Sequence, residues 1–550
     1  MTKVYLETFG CQMNELDSEL VEGQLSALGY SFVENPADAA VVLYNTCSVR
    51  EQAEQKALSR IGLIGVRKRA GERVILGIIG CMAERDGIDL FRRHPQIDLL
   101  CGPGELDRLP HLIDAASRSA EAQFLDETPA ASRDERTALA GNRSRRTTTL
   151  TAAEDNLETL DLSRSFDPDR RGASRHSAYV RITRGCNKFC TYCVVPNTRG
   201  AEIHRPPQHI VDECRKLVDT GVKEITLLGQ TVNHYRYQHG LAVTLAGAES
   251  PQVGPGLSAF RGAASANTTT FAMLLKRIHD EIPELARLRF VTSYPRDFGD
   301  DILEVMRDSP RICRYLHAPP QSGSNRILKL MNRGYTVEHY REFVDRVFAH
   351  LPDATLAGDF IVGFPTETDE DFEATCELVR TLPFKNSFIF KYSPRPGTTA
   401  FDRLADDVPD AVKRSRNNRL LSLQSDASLR THRALVGQTV EVLFDSIRVH
   451  KPSRSRTPEF SPVTIAGVSV AGDQARTADV QNLHQLIGRT AGDMIVAIDC
   501  DESDSFTVKP GDIRSVKIGR ASPLLLLGSL ELAGISKPRT ETTQELHQFP

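Results

Sequence analysis

Three times in its first hundred residues the chain runs from an apolar stretch to a cysteine and then into helix-forming residues. Val4–Phe9 leads to Cys11 and on to Glu15–Leu28. Ala39–Asn45 leads to Cys47 and Glu51–Arg69, and Arg73–Ile79 leads through Gly80 to Cys81. Strands that are apolar throughout, not at every second position, are covered on both faces, so the repeat predicts a parallel sheet flanked by helices. In such sheets the residues just beyond the carboxyl ends of the strands line the ligand crevice. The repeat therefore brings Cys11, Cys47 and Cys81 to one edge.

A second α/β region follows, with predicted strands at Ala178–Thr183, Glu224–Leu228, Leu288–Thr292, Tyr315–Ala318, Ala357–Val362 and Asn386–Phe390. Six strands alternating with helices suit a partial (β/α)6 barrel, whose active site lies at the strand carboxyl ends. A charged helix is expected over Asp410–Leu435, then a small β-rich domain. The expected organisation is an N-terminal α/β domain over 1–115, a linker over 116–175, and the partial barrel over 176–435. A small β-barrel over 437–515 and a tail over 516–550 complete it. The linker is rich in Ser, Arg, Thr and acids and poor in large apolar residues, so it reads as largely disordered. Two further polar stretches, 237–270 and 451–474, read as an inserted loop and an insertion in the small barrel.

A net charge of −4 over 550 residues provides no global field for nucleic acid, so any such contact needs local basic patches. The segment 413–456 is one candidate, with Lys413, Arg414, Arg416, Arg419, Arg430, Arg433, Arg448, Lys451, Arg454 and Arg456 against three acids. A solvated charged helix accounts for it equally well. Met1–Gly10 reads as a strand rather than a secretory signal, and no apolar run reaches the roughly 18 residues of a membrane span. A cytoplasmic protein is expected. In that compartment eleven cysteines are free, catalytic or metal-bound, not disulfide-linked.

The most specific local pattern is RGCNKFCTYCVVPNTRG, in which Cys186, Cys190 and Cys193 form a CxxxCxxC triad at the end of the first barrel strand. Three thiolates from one short loop suit three corners of a [4Fe–4S] cluster and leave one iron open. That open iron is what binding of S-adenosylmethionine (SAM) requires. The competing reading is a structural zinc site, but zinc takes four ligands and no partner pair lies nearby. Small buried cysteines at strand ends are also ordinary packing residues, which suits one such cysteine better than three at equivalent places. Cys101, Cys214, Cys313, Cys376 and Cys500 lack a pattern, although Cys101 ends a fourth apolar run and is a mild rival ligand.

CNKFCTYCVVPNTRG, FGCQMNELDS, NTCSVRE and GIIGCMAER resemble the corresponding segments of the MiaB-type tRNA methylthiotransferases. LLGQTVNHY, RFVTSYP, LHAPPQSGS, MNRGYT and DFIVGFPTET are similar to that family's barrel segments, in the same order. The resemblance implies a second [4Fe–4S] cluster on Cys11, Cys47 and Cys81. It also implies replacement of a C–H bond by C–SCH3 at carbon 2 of an isopentenylated adenine beside the anticodon. The partners it implies are the tRNA anticodon stem-loop, an electron donor such as flavodoxin or ferredoxin, and a sulfur source, with no membrane. SAM contacts are expected from Gly229 and Gln230, from Ser293, Gln321, Ser322 and Asp359 near later strand ends, and from Gly363 to Glu367. The small β-domain stands where that family carries an RNA-binding TRAM domain. Relatives that methylthiolate a ribosomal-protein aspartate or a threonylcarbamoyl-adenosine are the alternatives within the enzyme class. A zinc-stabilised, non-catalytic RNA-binding protein is the alternative outside it.

Overall fold

Apolar strands do lead to the cysteines as the pattern predicts, in a computed structural model that describes residues 1–48, 51–124, 132–140, 157–164, 176–244, 246–254, 266–450, 483–500 and 508–531. The chain divides into two compact units, Met1–Thr431 with Ala491–Asp493, and His432–Thr490 with Met494–Pro550.

The first unit opens with six parallel strands: β1 (Lys3–Phe9), β2 (Ser31–Phe32), β3 (Val41–Thr46), β4 (Ile75–Gly80), β5 (Leu99–Cys101) and β6 (Thr137–Ala138). Their order is β2-β1-β3-β4-β5-β6. Helices α1 (Gln12–Ala27), α2 (Glu51–Arg69), α3 (Cys81–Asp86), α4 (Asp89–Arg93) and α5 (Leu109–Phe124) connect them. Every residue of β3 and β4 is buried, which is why those runs carry no polar alternation.

Next comes α6 (Leu157–Ser163), then the barrel strands β7 (Ser177–Arg181), β10 (Glu224–Leu228), β14 (Arg287–Phe290), β15 (Tyr315–His317), β16 (Thr355–Val362) and β17 (Phe384–Lys391). They pair in parallel as β7-β10-β14 and β15-β16-β17, and a parallel bridge joins Leu288 of β14 to Ile312, three residues before β15. This is the six-stranded partial barrel that the α/β alternation predicts. Short strands β8 (Thr183–Arg184), β9 (Ile203–His204), β11 (Arg236–Gln238), β12 (Gln252–Val253) and β13 (Thr268–Thr270) decorate it. The barrel helices are α7 (Val195–Thr198), α8 (Pro207–Asp219), α9 (Phe271–Glu281), α10 (Asp300–Asp308), α11 (Asn325–Leu330), α12 (Val337–His350), α13 (Asp369–Thr381), α14 (Thr399–Arg403) and α15 (Asp410–Arg433).

In the second unit, β18 (Thr439–His450), β19 (Leu483–Thr490), β20 (Ile495–Cys500), β21 (Ile513–Ala521) and β22 (Leu526–Leu530) close a barrel in the order β18-β19-β20-β22-β21. Val442, Phe444, Leu486, Val496, Val516 and Leu526 fill it.

Four expectations need correction. The apolar segment Pro523–Leu530 is not tail: β22 lies inside it and closes the barrel between β20 and β21, whose edges the other four strands alone would leave exposed. The stretch 116–175 is not uniformly a disordered linker. It holds the end of α5, strand β6 paired with β5, and α6, whose Glu158 and Asp161 are buried, as is Arg164 just after it. Residues 125–131, 141–156 and 165–175 lie outside the described residues. The stretch 237–270 is not simply a loop, since β11 pairs with β13, β12 pairs with β9, and Tyr237 is fully buried. The basic excess of α15 is largely engaged within the chain. Lys413 pairs with Asp406 at 2.5 Å, Arg414 with Asp410 at 2.7 Å, Arg416 with Glu367 at 2.8 Å and Arg419 with Glu373 at 2.5 Å. The 451–474 insertion, with Lys451, Arg454 and Arg456, lies outside the described residues. Among the described residues no helix is long and apolar enough to cross a membrane.

Two cysteine triads and the barrel rim

Strand register builds the first triad. Phe9 stands opposite Thr46, and Thr46 opposite Gly80, so the carboxyl ends of β1, β3 and β4 are level. Cys11, Cys47 and Cys81 follow those ends by two, one and one residues. Cys47 N donates to Phe9 O at 2.9 Å. Gly80 lies at φ +90°, and a Cβ there would stand 2.4 Å from Asn45 Oδ1, so only glycine lets the chain turn into Cys81. Two buried amides secure the edge: Asn14 Nδ2 donates to Asn45 Oδ1 at 2.9 Å, and Asn45 Nδ2 to Asn14 O at 2.8 Å. The three cysteines are free thiols. A hydrogen bond with Cys47 brings the Cys11 thiol down to about 6, against its burial, with help from the Arg199 charge. Burial raises Cys81, against the same arginine.

A tight loop builds the second. Cys186 N donates to Gly200 O at 3.1 Å, and both Gly185 (φ +68°) and Gly200 (φ +77°) are left-handed. Within this loop Lys188 N donates to Cys186 Sγ at 3.3 Å and Cys193 N to Cys190 O at 3.0 Å. The MNRGYT segment grips it from outside. Asn332 Nδ2 donates to Phe189 O at 2.8 Å, Thr191 Oγ1 to Leu330 O at 2.8 Å, and Arg333 Nη1 to Cys190 Sγ at 3.4 Å. Arg333 also lies over the rings of Tyr294 and Tyr335, at 4.5 and 5.1 Å. Burial, followed by the Glu202 charge, pushes the Cys186 thiol up to about 12. Burial raises Cys193 as well.

Beside the loop is a buried polar chain absent from the sequence reading. Glu202 Oε1 is 2.8 Å from His204 Nε2, and His234 Nε2 is 2.8 Å from Asp297 Oδ2, which also takes Lys188 Nζ at 2.6 Å. Burial alone would raise Glu202, but its two histidines outweigh this and bring it to about 2.

The predicted SAM-contacting residues fall into two groups. Gly229 directly follows β10, with Gln230 next; a Cβ on Gly229 would stand 2.2 Å from Thr183 Oγ1, so the backbone approach there needs glycine. Ser293 N donates to His317 O at 2.9 Å, and its buried Oγ has no hydrogen-bond partner among the described residues. Gln321 (φ +70°) follows β15 and donates its N–H to Asp359 O at 2.9 Å, while Asp359 Oδ1 is 3.1 Å from His317 Nε2. Gly229, Gln230, Ser293 and Gln321 come after the carboxyl ends of their strands, at the rim, whereas Asp359 lies within β16. Ser322 and Glu367 are instead engaged by the chain. Ser322 Oγ is 3.4 Å from Thr375 Oγ1 on α13, and Glu367 Oε2 accepts from Gly363 N at 2.7 Å and Arg416 Nη1 at 2.8 Å. Glu367 Oε1 is buried without a hydrogen-bond partner among the described residues. Three of the non-glycine residues with positive φ, Thr292, Gln321 and Thr366, stand near this rim. Strain of this kind concentrates at ligand sites.

Each triad offers three free thiols, the donor set that three corners of a cubane cluster take. Among the described residues no three His, Cys, Asp or Glu side chains converge on a position for a single metal ion. Arg333 donates to one thiol and Arg199 reaches another, as charge balance for thiolates requires. The orphaned Ser293 Oγ adds an unsatisfied group at the rim where SAM is expected.

Residues 180–379 match the Radical SAM superfamily and residues 3–102 the uncharacterized protein family UPF0004. The chain is 40% identical over 542 residues to the tRNA-2-methylthio-N(6)-dimethylallyladenosine synthase of Rhodopirellula baltica, covering 98% of each. It is 40% identical to the enzyme of that name from Protochlamydia amoebophila, over 81% of this chain and 86% of the relative. Against that of Bacteroides thetaiotaomicron it is 36% identical, over 96% and 95%.

Proposed function

The chain belongs to the tRNA-2-methylthio-N(6)-dimethylallyladenosine synthase family, and we propose that it methylthiolates carbon 2 of an N6-isopentenyladenosine at position 37 of tRNA, using two iron–sulfur clusters. It is a radical SAM enzyme, a transferase of a sulfur-containing group. The observation that carries the reading is the pair of three-cysteine sites within one compact unit, one past the N-terminal sheet and one in the first barrel loop.

Cys186, Cys190 and Cys193 would hold a cluster that, with SAM, would supply radical chemistry, and Cys11, Cys47 and Cys81 would hold a second cluster that would supply the sulfur chemistry. The chain's own work is placement. Gly185 and Gly200 fold the cysteine loop back on itself, and Arg333 fixes Cys190 from the opposite side. Gly229, Gln230, Ser293 and Gln321, with Asp359 of β16, form the site that receives SAM. Gly363 and Glu367 shape its edge through their mutual hydrogen bond, closed by Arg416. A reactive radical demands that its target be held at close range, which this packed rim favours.

The C-terminal barrel supports RNA binding through β21, where Val516 and Ile518 face inward while Arg514, Lys517 and Arg520 are exposed. A flavodoxin- or ferredoxin-like electron donor and a separate sulfur source complete the reaction, which we place in the cytoplasm. Iron and acid-labile sulfide analysis of anaerobically reconstituted protein tests the two-cluster reading. About eight irons in the wild type and about four in a Cys186/Cys190/Cys193→Ala variant are expected; about four in the wild type removes the N-terminal cluster.

A further inference from the structure

Arg199 belongs to the loop of one triad and ends at the other. Its backbone follows α7, six residues beyond Cys193, and precedes Gly200, whose carbonyl closes the loop on Cys186. Helix α7 packs against α3, which begins at Cys81. The Arg199 side chain is 6% exposed, and its Nη2 donates to Asp17 Oδ2 at 2.7 Å. Asp17 is fully buried on α1, the helix that Cys11 caps. The Arg199 charge also lies close enough to the Cys81 and Cys11 thiols to lower both, at Cys81 against the larger effect of burial.

A buried guanidinium needs compensation. Asp17 supplies only part of it, because its other oxygen faces Arg181 Nη1 at 3.5 Å. Arginine carries five N–H donors in a fixed fork, so a contact to Asp17 leaves donors for the cysteine edge. Motif resemblance gave the TRG segment no role; the three-dimensional arrangement does.

We propose that Arg199 is a positioning residue for the N-terminal cluster, supplying the fixed positive charge that holds its thiolates and an anionic sulfur ligand beside them. This rests on the two-cluster reading. A cation beside a cluster favours the reduced, more negative state and the binding of sulfide; a nearby carboxylate opposes both. Arg199 and Asp17 therefore have opposite predicted effects, whereas a merely structural pair would act in one direction.

The test uses the full-length Cys186/Cys190/Cys193→Ala protein, reconstituted anaerobically so that only the N-terminal cluster remains. Its midpoint potential is followed by electron paramagnetic resonance during redox titration, and sodium sulfide is titrated as the ligand probe. Arg199→Gln lowers the potential and weakens sulfide binding at least tenfold, while Asp17→Asn raises the potential. An unchanged potential and affinity in Arg199→Gln, or shifts of the same sign in both variants, overturns the proposal. If Arg199→Gln does not retain four irons, Asp17→Asn decides alone: a raised potential supports the proposal, and an unchanged or lowered one overturns it. A parent protein without iron refutes the two-cluster reading itself, and this inference with it.

Discussion

Replacing Gly185 by alanine is expected to empty the SAM-cluster loop while leaving the N-terminal triad loaded. At Gly185 a Cβ would stand 2.0 Å from Ala201 O and 2.5 Å from Gly200 O, both backbone atoms that cannot swing aside. The residue also sits at φ +68°, where a side chain costs roughly 1–2 kcal/mol. Relieving the clash means parting the two arms of the loop, which sacrifices the Cys186 N to Gly200 O bond at 3.1 Å, a loss of about 1 kcal/mol. Together these come to about 2–3 kcal/mol, or roughly thirty- to a hundredfold fewer molecules with the loop closed. Gly29→Ala is the control: it shares a left-handed φ of +86° but has nothing within 4 Å of the added carbon. Iron content and reductive SAM cleavage are measured on both variants after anaerobic reconstitution. Gly185→Ala should match the Cys186/Cys190/Cys193→Ala protein, and Gly29→Ala the wild type. Full iron and full SAM cleavage in Gly185→Ala would refute the argument that this close approach builds the site.

Other perturbations follow from the same geometry. Arg205 is fully buried and holds Glu158 of α6 at 2.8 Å and Glu213 of α8 at 2.7 Å; Arg205→Met removes the charge these buried carboxylates share, leaving Glu158 only His209 and Glu213 only Arg164 among the described residues, and should cost about 3 kcal/mol in thermal denaturation. An unshifted melting temperature would mean α6 is held by something else. Asp371, at the start of α13, would be raised by burial, but Arg326, Ser324 and Thr368 outweigh this and bring it from 3.8 to about 2. Its folded value is depressed, so its contribution is complete above pH 3.8 and is lost as pH falls towards 2. With the half-exposed Arg326 discounted, that contribution is about 1–2 kcal/mol, and Asp371→Asn should flatten the stability–pH curve in that window. An identical slope in the variant would exclude Asp371 as its source. Lys517→Ala with Arg520→Ala should reduce the slope of log K for tRNA against log salt by about 1–2 if β21 meets phosphates, while SAM cleavage stays intact. A slope unchanged in filter-binding measurements would move the RNA surface elsewhere.

Much of the first unit was legible in the chain because it is written in apolar runs. β3 and β4 are buried from end to end, and strand order and register then carry Cys11, Cys47 and Cys81 to one edge. The barrel strands were readable for the same reason. Hydrophobic patterning does not reveal α6, whose buried face includes charges, Glu158 and Asp161, matched by Arg205 and Arg181 far along the chain. Nor does local composition show that Lys413, Arg416 and Arg419 of α15 face acids on neighbouring segments, as Arg416 faces Glu367. β22 was missed because five apolar-rich residues near the end of the sequence carry no alternation, and only pairing with β20 and β21 gives them a place. Arg199 and Arg333 lay within quoted motifs, yet their reach to cysteines of distant segments is a property of the fold alone.

The central claim is that the two triads serve one reaction on isopentenylated tRNA, the N-terminal one in sulfur transfer and the barrel one in radical generation. Its most direct test is nucleoside mass spectrometry of isopentenylated and unmodified tRNA after anaerobic incubation with SAM and a reductant. Wild type is compared with a Cys11/Cys47/Cys81→Ala variant. The account predicts 2-methylthio-isopentenyladenosine only with wild type and isopentenylated tRNA, while the variant still cleaves SAM and adds no sulfur. Methylthiolation by the variant, or by wild type of unmodified tRNA alone, would contradict it.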